Sequence, residues 1–135
     1  MKPWLKWTLI ISAVLLALAL TASVFIYRTV SRTVPDCYAQ WATAELIIAY
    51  RKDKNKMPES WQDIQPYQPQ ALHHGGLTFE EIQKRIQIDF PSLPVLEKAY
   101  PDKNSIPKVI KTKSGEKAFW DGAEPNQLVN SEIQK

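Results

Sequence analysis

The stretch from Trp7 to Tyr27, WTLIISAVLLALALTASVFIY, decides how this chain is organised, because none of its residues is charged. Lys6 and Arg28 flank it directly. A helix of about 20 apolar residues spans a hydrocarbon core of roughly 30 Å, and it satisfies its backbone hydrogen bonds internally. Trp4, Trp7 and Tyr27 lie where interfacial aromatic side chains are usually found. The sequence therefore predicts a transmembrane helix over residues 7–27, in contact with the lipid bilayer.

A cleaved signal peptide is the competing interpretation, since Ala17-Leu18-Ala19 resembles a cleavage site preceded by basic and apolar residues. The apolar run continues through Val24, Phe25 and Ile26, however, so the segment is long enough to span a membrane and the candidate site lies in its middle. We therefore expect an uncleaved anchor in the cytoplasmic (inner) membrane. Residues 1–6 are expected in the cytoplasm and the C-terminal domain outside it, although basic residues occur on both sides of the helix.

The composition of residues 28–135 indicates one small, nearly neutral domain. Of the 17 basic residues, Lys2 and Lys6 precede the helix, which leaves 15 basic and 14 acidic residues after it. Nucleic-acid binding needs basic residues concentrated on one face, so we expect no nucleic-acid partner. The single cysteine, Cys37, permits neither an internal disulfide bond nor a cysteine-based zinc site.

Residues 28–56 are predicted to form a membrane-proximal helical segment. Pro35 cannot donate a backbone hydrogen bond, so a break or kink is expected, with Thr33 or Val34 capping a new helix. The spacing predicts one amphipathic face, which carries Cys37, Trp41, Ala44 and Ile48. Burial of this face in the core of its own domain and packing against an envelope protein partner are both open, because the hydrophobic effect favours either.

Residues 57–135 are predicted to complete a small α+β domain, with helices before strands. The fold class is thus an N-terminal transmembrane helix, an amphipathic helix and a small antiparallel sheet. The predicted local elements are a short helix capped by Ser60 and Asp63, a loop over residues 65–76, a helix from Phe79 to about Arg85 capped by Thr78, a strand over 86–90, a hairpin pairing 108–113 with 116–120, and a segment over 123–129 that leads to a polar end.

Candidate chemical residues are few, and we expect no catalytic, cofactor-binding or metal-binding site. His73 and His74 are adjacent in sequence, and such neighbours rarely bind one metal ion. Cys37 lies on an apolar helix face, where a cysteine usually behaves as a small hydrophobic residue rather than a nucleophile. The acidic residues that might serve acid–base chemistry, with unknown separations, are Glu80, Glu81, Asp89, Asp121 and Glu124.

Parts of this sequence resemble two groups of known proteins. Tyr38-x-x-Trp41, Pro58-x-Ser60-Trp61-x-Asp63-Ile64 and Trp120-x-Gly122-Ala123-Glu124-Pro125-Asn126 resemble a group of uncharacterised bacterial single-pass membrane proteins with a small C-terminal domain. A membrane helix followed by an amphipathic helix is also similar, more distantly, to type IV pilins and pseudopilins. Those families carry a Gly before the processing site and a Glu at the fifth mature position, and Lys6-Trp7-Thr8-Leu9-Ile10 has neither.

The sequence alone thus favours a membrane-anchored, non-catalytic binding or assembly protein of the bacterial cell envelope. A pseudopilin-like filament or secretion-system subunit is the first alternative. A small membrane-bound enzyme is the second, since the absence of a catalytic motif does not exclude an activity.

Overall fold

The computed structural model describes residues 2–115 and 124–135. The chain forms two compact units, Met1–Arg32 and Thr33–Lys135. The helices are α1 (Pro3–Arg28), α2 (Val34–Lys54), α3 (Trp61–Ile64), α4 (Phe79–Arg85) and α5 (Pro125–Ile133). Two strands, β1 (Ile86–Ile88) and β2 (Ile110–Thr112), form one antiparallel sheet. The predicted α+β class is confirmed.

Helix α1 makes up most of the first unit, and none of its residues is buried. An 18-residue stretch of the N-terminal helix has a mean hydropathy of 2.7. Among the described residues, one helix is long and apolar enough to cross a membrane. The hydroxyl groups of Thr8, Thr21 and Ser23 donate hydrogen bonds to carbonyl oxygens four residues earlier, at 2.8–2.9 Å. These bonds remove the polar cost of the hydroxyls in an apolar helix.

The backbone around Pro35 differs from the expected capped break. Residues Thr29–Thr33 form a π-helix, and α2 begins directly at Val34. The expected interruption is present, and α2 has Thr33 at its N-cap position and Asp36 in its first turn. Thr33 has helical dihedral angles, however, and its side chain makes no capping bond, so only the predicted side-chain cap was wrong. A proline removes one helical hydrogen bond and clashes with the carbonyl four residues earlier, and a wider π turn accommodates both effects without ending the helix.

Helix α2 is the central element of the second unit, because α3, α4, α5 and both strands pack against it. Ala39, Ala42, Leu46 and Ile47 are completely or almost completely buried along it. The helix ends at Lys54, and Asn55 adopts a left-handed conformation that closes it (φ 54°). A helix buried on several sides cannot present a long apolar stripe to solvent, and only part of its surface is left for other contacts.

The sheet follows α4 and has a fixed register. Thr78 and Glu81 form a capping box at the start of α4, as the sequence predicts. Ile86 pairs with Thr112 and Ile88 with Ile110. The strand stops at Ile88, two residues before its predicted end, because a 3₁₀ helix begins at Phe90. The first arm of the predicted hairpin, residues 108–113, contains β2 and pairs with β1. The second predicted arm, residues 116–120, lies outside the described residues.

The end of the chain, for which the sequence predicts no regular element, forms α5. The segment expected to be a loop is also partly ordered, since residues Gln65–Gln70 form a 3₁₀ helix. Asn126 in α5 is completely buried, and its Oδ1 accepts hydrogen bonds from the backbone N–H groups of Val109 (2.9 Å) and Ile110 (2.8 Å). Its Nδ2 donates to the carbonyl oxygen of Ile110 at 3.0 Å. The Asn126 side chain therefore forms hydrogen bonds with the backbone at the start of β2, in the way that the backbone of a further strand would.

A partly buried ion pair joins the start of α2 to the end of α4. Asp36 is 4% exposed, and its Oδ1 accepts a hydrogen bond from Arg85 Nη1 at 2.8 Å. The Ser114 hydroxyl donates to the other carboxylate oxygen. Both oxygens are therefore hydrogen-bonded, as a buried carboxylate requires.

Candidate functional site

A groove on the surface of the second unit has a cavity volume of about 800 Å³. We call it the α2 groove. It lies between one stripe of α2, the segment over residues 67–73 and the outer face of α5, and it is lined principally by Trp41, Glu45, Ile48, Tyr67, Leu72 and Leu128. The α2 residues recur at intervals of three and four, so that one helix face forms one wall.

Apolar side chains form most of the groove surface. Trp41, Ile48, Tyr67 and Leu128 are half-buried. Ile48, Tyr67 and Leu128 also pack against the core of the second unit, and Trp41 contacts the His73 ring. Leu72 is 81% exposed. An exposed leucine beside half-buried aromatic and aliphatic side chains forms an apolar patch, and contact of this patch with water is energetically unfavourable.

The segment carrying Leu72 is held against α2 by its next residue. The backbone N–H of His73 donates to Glu45 Oε2 at 3.1 Å, and His73 Nδ1 lies 2.6 Å from Glu45 Oε1. The imidazole ring also contacts the Trp41 ring, with centroids 5.4 Å apart. Two residues further on, Gly75 lies so close to the Tyr38 ring that a Cβ at this position would come within 2.5 Å of it. The position of Leu72 is therefore fixed by neighbouring contacts.

The charged groups at the groove form pairs with one another. The Tyr67 hydroxyl donates to Asp53, which lowers the pKa of that carboxyl, and Lys54 lowers it further. The same hydrogen bond raises the pKa of Tyr67. Lys52 Nζ lies 3.4 Å from Glu132. Ion pairs this exposed contribute little stability. The charged residues that line the groove are three acidic ones, Glu45, Asp53 and Glu132, and one basic one, Lys52.

The predicted interaction face of α2 is divided between two environments. Cys37 and Ala44 are 4% and 0% exposed, respectively, in the core of the second unit. Trp41 and Ile48 line the α2 groove. Contact with a partner through this face would therefore use Trp41 and Ile48.

The remaining candidate residues do not converge on one site. His73 lies at the groove, and the next residue, His74, has a buried Nδ1 without a hydrogen-bond partner among the described residues. Within residues 2–115 and 124–135, no group of three or more His, Cys, Asp or Glu side chains is placed to bind a metal ion.

The acidic candidates have separate local roles. The carboxylate of Glu81 caps α4, Asp89 accepts a hydrogen bond from Ser92, and Glu124 accepts one from Asn126. Glu80 is exposed on α4. Asp121 lies outside the described residues.

The sequence predicted one wall of the groove but not its other walls. The helical spacing of Trp41 and Ile48 is visible in the sequence, whereas Leu72 falls in a predicted loop and Leu128 in a segment for which no element was predicted. A leucine within an otherwise polar predicted loop was the one signal for Leu72 that the sequence offered. Comparison with protein-family models, curated proteins and solved structures found no match to this chain.

Proposed function

We propose that this chain is a single-pass membrane protein that displays a binding domain on the outer face of the cytoplasmic membrane of a bacterium. In this proposal α1 is the anchor and residues 33–135 carry a non-catalytic binding or assembly role in the cell envelope. The observation that carries it is the exposure of α1, whose apolar side chains have no protein cover. A lipid hydrocarbon core is the environment in which such a helix is stable.

The physical argument rests on the size of the apolar surface. Burial of a single large aliphatic or aromatic side chain is worth about 1.5–3 kcal/mol, and α1 carries a succession of them, among them Leu15, Leu16 and Phe25 at 61–72% exposure. Exposure of all of them to water would cost more than the usual net stability of a small domain, about 5–15 kcal/mol. Membrane insertion removes this cost.

The α2 groove supports a binding role for the folded unit. It is concave, mainly apolar, and bordered by a few polar groups, which is the usual composition of a recognition site. Its polar groups are hydrogen-bonded within the chain, at Glu45 with His73 and at Asp53 with Tyr67. A partner that covers the apolar surface would therefore not need to satisfy unpaired buried charges.

Protease accessibility tests the anchor and its orientation together. Spheroplasts producing the chain with a C-terminal tag are treated with protease, and the tag is followed in the membrane and soluble fractions. We expect the tag to be in the membrane fraction and to be lost on protease addition. A tag protected until lysis would contradict the orientation, and a soluble chain would contradict the anchor.

A matched pair of variants sharpens the test. Leu16→Arg places a charge near the centre of α1, at a cost of about 2.5–3.5 kcal/mol for insertion, so the membrane-bound fraction should fall. Leu16→Phe keeps the position apolar and should leave the fraction unchanged. Equal membrane fractions for both variants would show that α1 is not what holds the chain at the membrane.

A further inference from the structure

A second hollow of the folded unit gathers lysine side chains, and we call it the lysine hollow. Its cavity volume is about 470 Å³, and it shares no lining residue with the α2 groove. It lies between the 3₁₀ turn Lys103–Ser105, the strand β2 and the start of α5. In the described part of the chain, the charged residues that line it are Lys103, Lys108, Lys111 and Glu124.

The three lysines of the hollow lack the carboxylate partners that other lysines of this unit have. Lys52, Lys54 and Lys56 each lie within 3.4 Å of a carboxylate oxygen. Among the described residues, no carboxylate forms an ion pair with the lysines of the hollow, and the carboxylate of Glu124 accepts a hydrogen bond from Asn126. The lining therefore carries three positive charges against one negative charge. Like charges in one hollow repel each other, and a bound anion relieves this repulsion.

The backbone that carries these lysines is held in place by hydrogen bonds. The side-chain amide of Gln127 donates to the carbonyl oxygen of Lys103 at 3.3 Å, which ties the 3₁₀ turn to α5. Lys111 lies in β2, in register with Gln87 of β1. An anion that binds here would therefore order lysine side chains but not the backbone, and the entropic cost of binding is correspondingly small.

The charge of the hollow selects one class of anion. A carboxylate brings a single negative charge, whereas a phosphate monoester brings about 1.5–2 negative charges at pH 7 and three strong acceptor oxygens, which matches an excess of two positive charges. The side-chain amides of Asn104 and Gln127 also line the hollow, and Gln127 lies in the first turn of α5, where the helix dipole favours an anion. We propose that the lysine hollow binds a phosphate monoester group.

This site goes beyond the proposed function, because its occupancy does not depend on the α2 groove or on α1 as an anchor. A soluble phosphorylated molecule and the headgroup of a phosphatidic acid present the same chemical group to the three lysines. The two sources are therefore compared in the test.

An NMR titration of the full-length chain in an uncharged detergent tests the proposal. The probes are inorganic phosphate, glucose 6-phosphate and dihexanoyl phosphatidic acid, with sodium chloride at matched ionic strength as the reference. We expect saturable shifts of the backbone amides of Lys103, Lys108 and Lys111, with half-saturation at about 1–10 mM for inorganic phosphate. Tighter binding of glucose 6-phosphate would identify a soluble source, and tighter binding of the phosphatidic acid would identify a lipid headgroup. Equal shifts with sodium chloride would overturn the site.

Two charge-matched variants separate a site from an effect of net charge. Lys111→Gln should raise the half-saturating concentration at least about threefold, since it removes one of three cations near the anion. Lys103→Gln should act in the same direction, and the unchanged amide shifts of α2 in each variant show that the unit is folded. Lys84→Gln removes the same charge on the exposed side of α4, outside the hollow, and should leave the titration unchanged. Equal weakening by Lys84→Gln and Lys111→Gln would refute the site, whatever the protease test shows about the anchor.

Discussion

Replacement of Asn126 by Leu should destabilise the second unit severely, although the two side chains are similar in size. Asn126 is completely buried and bonds to the backbone of residues 109 and 110 through three hydrogen bonds. Leucine would leave two buried N–H groups and one carbonyl oxygen without these partners. A sheet of two short strands is marginal by itself, so a side chain that pairs with its edge is important to it.

The magnitude follows from the groups left unpaired. Each buried polar group that loses its partner costs about 1–3 kcal/mol, and relaxation lets some of them reach water, so we expect a loss of about 3–6 kcal/mol for three groups. This is a large part of the usual stability of a small domain, about 5–15 kcal/mol. A loss of 3 kcal/mol would lower the urea midpoint by about 1–3 M.

Urea unfolding of the full chain in detergent, followed by tryptophan fluorescence, measures this loss. Gln127→Leu is the matched control, because the neighbouring Gln127 is half-exposed and, within the described part of the chain, its side chain bonds only to the carbonyl of Lys103, at 3.3 Å. It should change the stability by about 0.5 kcal/mol or less. If Asn126→Leu cost less than about 1 kcal/mol, equal to a single ordinary hydrogen bond, then Asn126 would not be what holds α5 to β2.

Two further predictions concern local geometry and pH. Gly75→Ala should destabilise the second unit more than Gly76→Ala in urea unfolding. Both glycines have a positive φ, which costs about 1–2 kcal/mol for alanine, but only at Gly75 would the added Cβ meet the Tyr38 ring. Equal losses of stability for the two variants would contradict this packing. Hydrogen bonds from Thr78, first from its backbone N–H and then from its side chain, lower the pKa of Glu81. The ionised carboxylate therefore adds stability above its unfolded pKa of about 4.3. This stability is lost as the pH falls through the lower pKa of the folded state. Glu81→Gln should therefore show a shallower loss of stability below about pH 4.3 than the unchanged chain, and parallel curves would refute the assignment.

Much of the fold was predictable because its signals are local. The run from Trp7 to Tyr27 predicts a helix through hydropathy alone, and α1 contains it. Thr78 and Glu81 predict the start of α4 because a capping box needs only four residues. The alternation at Ile86 and Ile88 predicts β1, for which period two is sufficient.

The missed elements depended on distant contacts. α5 has a polar sequence, and its helix is stabilised by packing against α2 and by the buried bonds of Asn126 and Asn130. No pattern within residues 124–135 shows that these two amides have backbone partners elsewhere in the chain. Pro35 predicted a break or kink, and the interruption takes the form of a π-helix over Thr29–Thr33, which the sequence does not specify.

The sequence by itself determined the exposed apolar helix, the α+β class and the amphipathic character of α2, because hydropathy and helical period depend on neighbouring residues. Only the tertiary structure decided which part of α2 remains accessible. Packing buries Cys37 and Ala44 and leaves Trp41 and Ile48 at a groove completed by Leu72 and Leu128. Such a groove requires residues far apart in the chain to converge, and that convergence depends on how the elements pack.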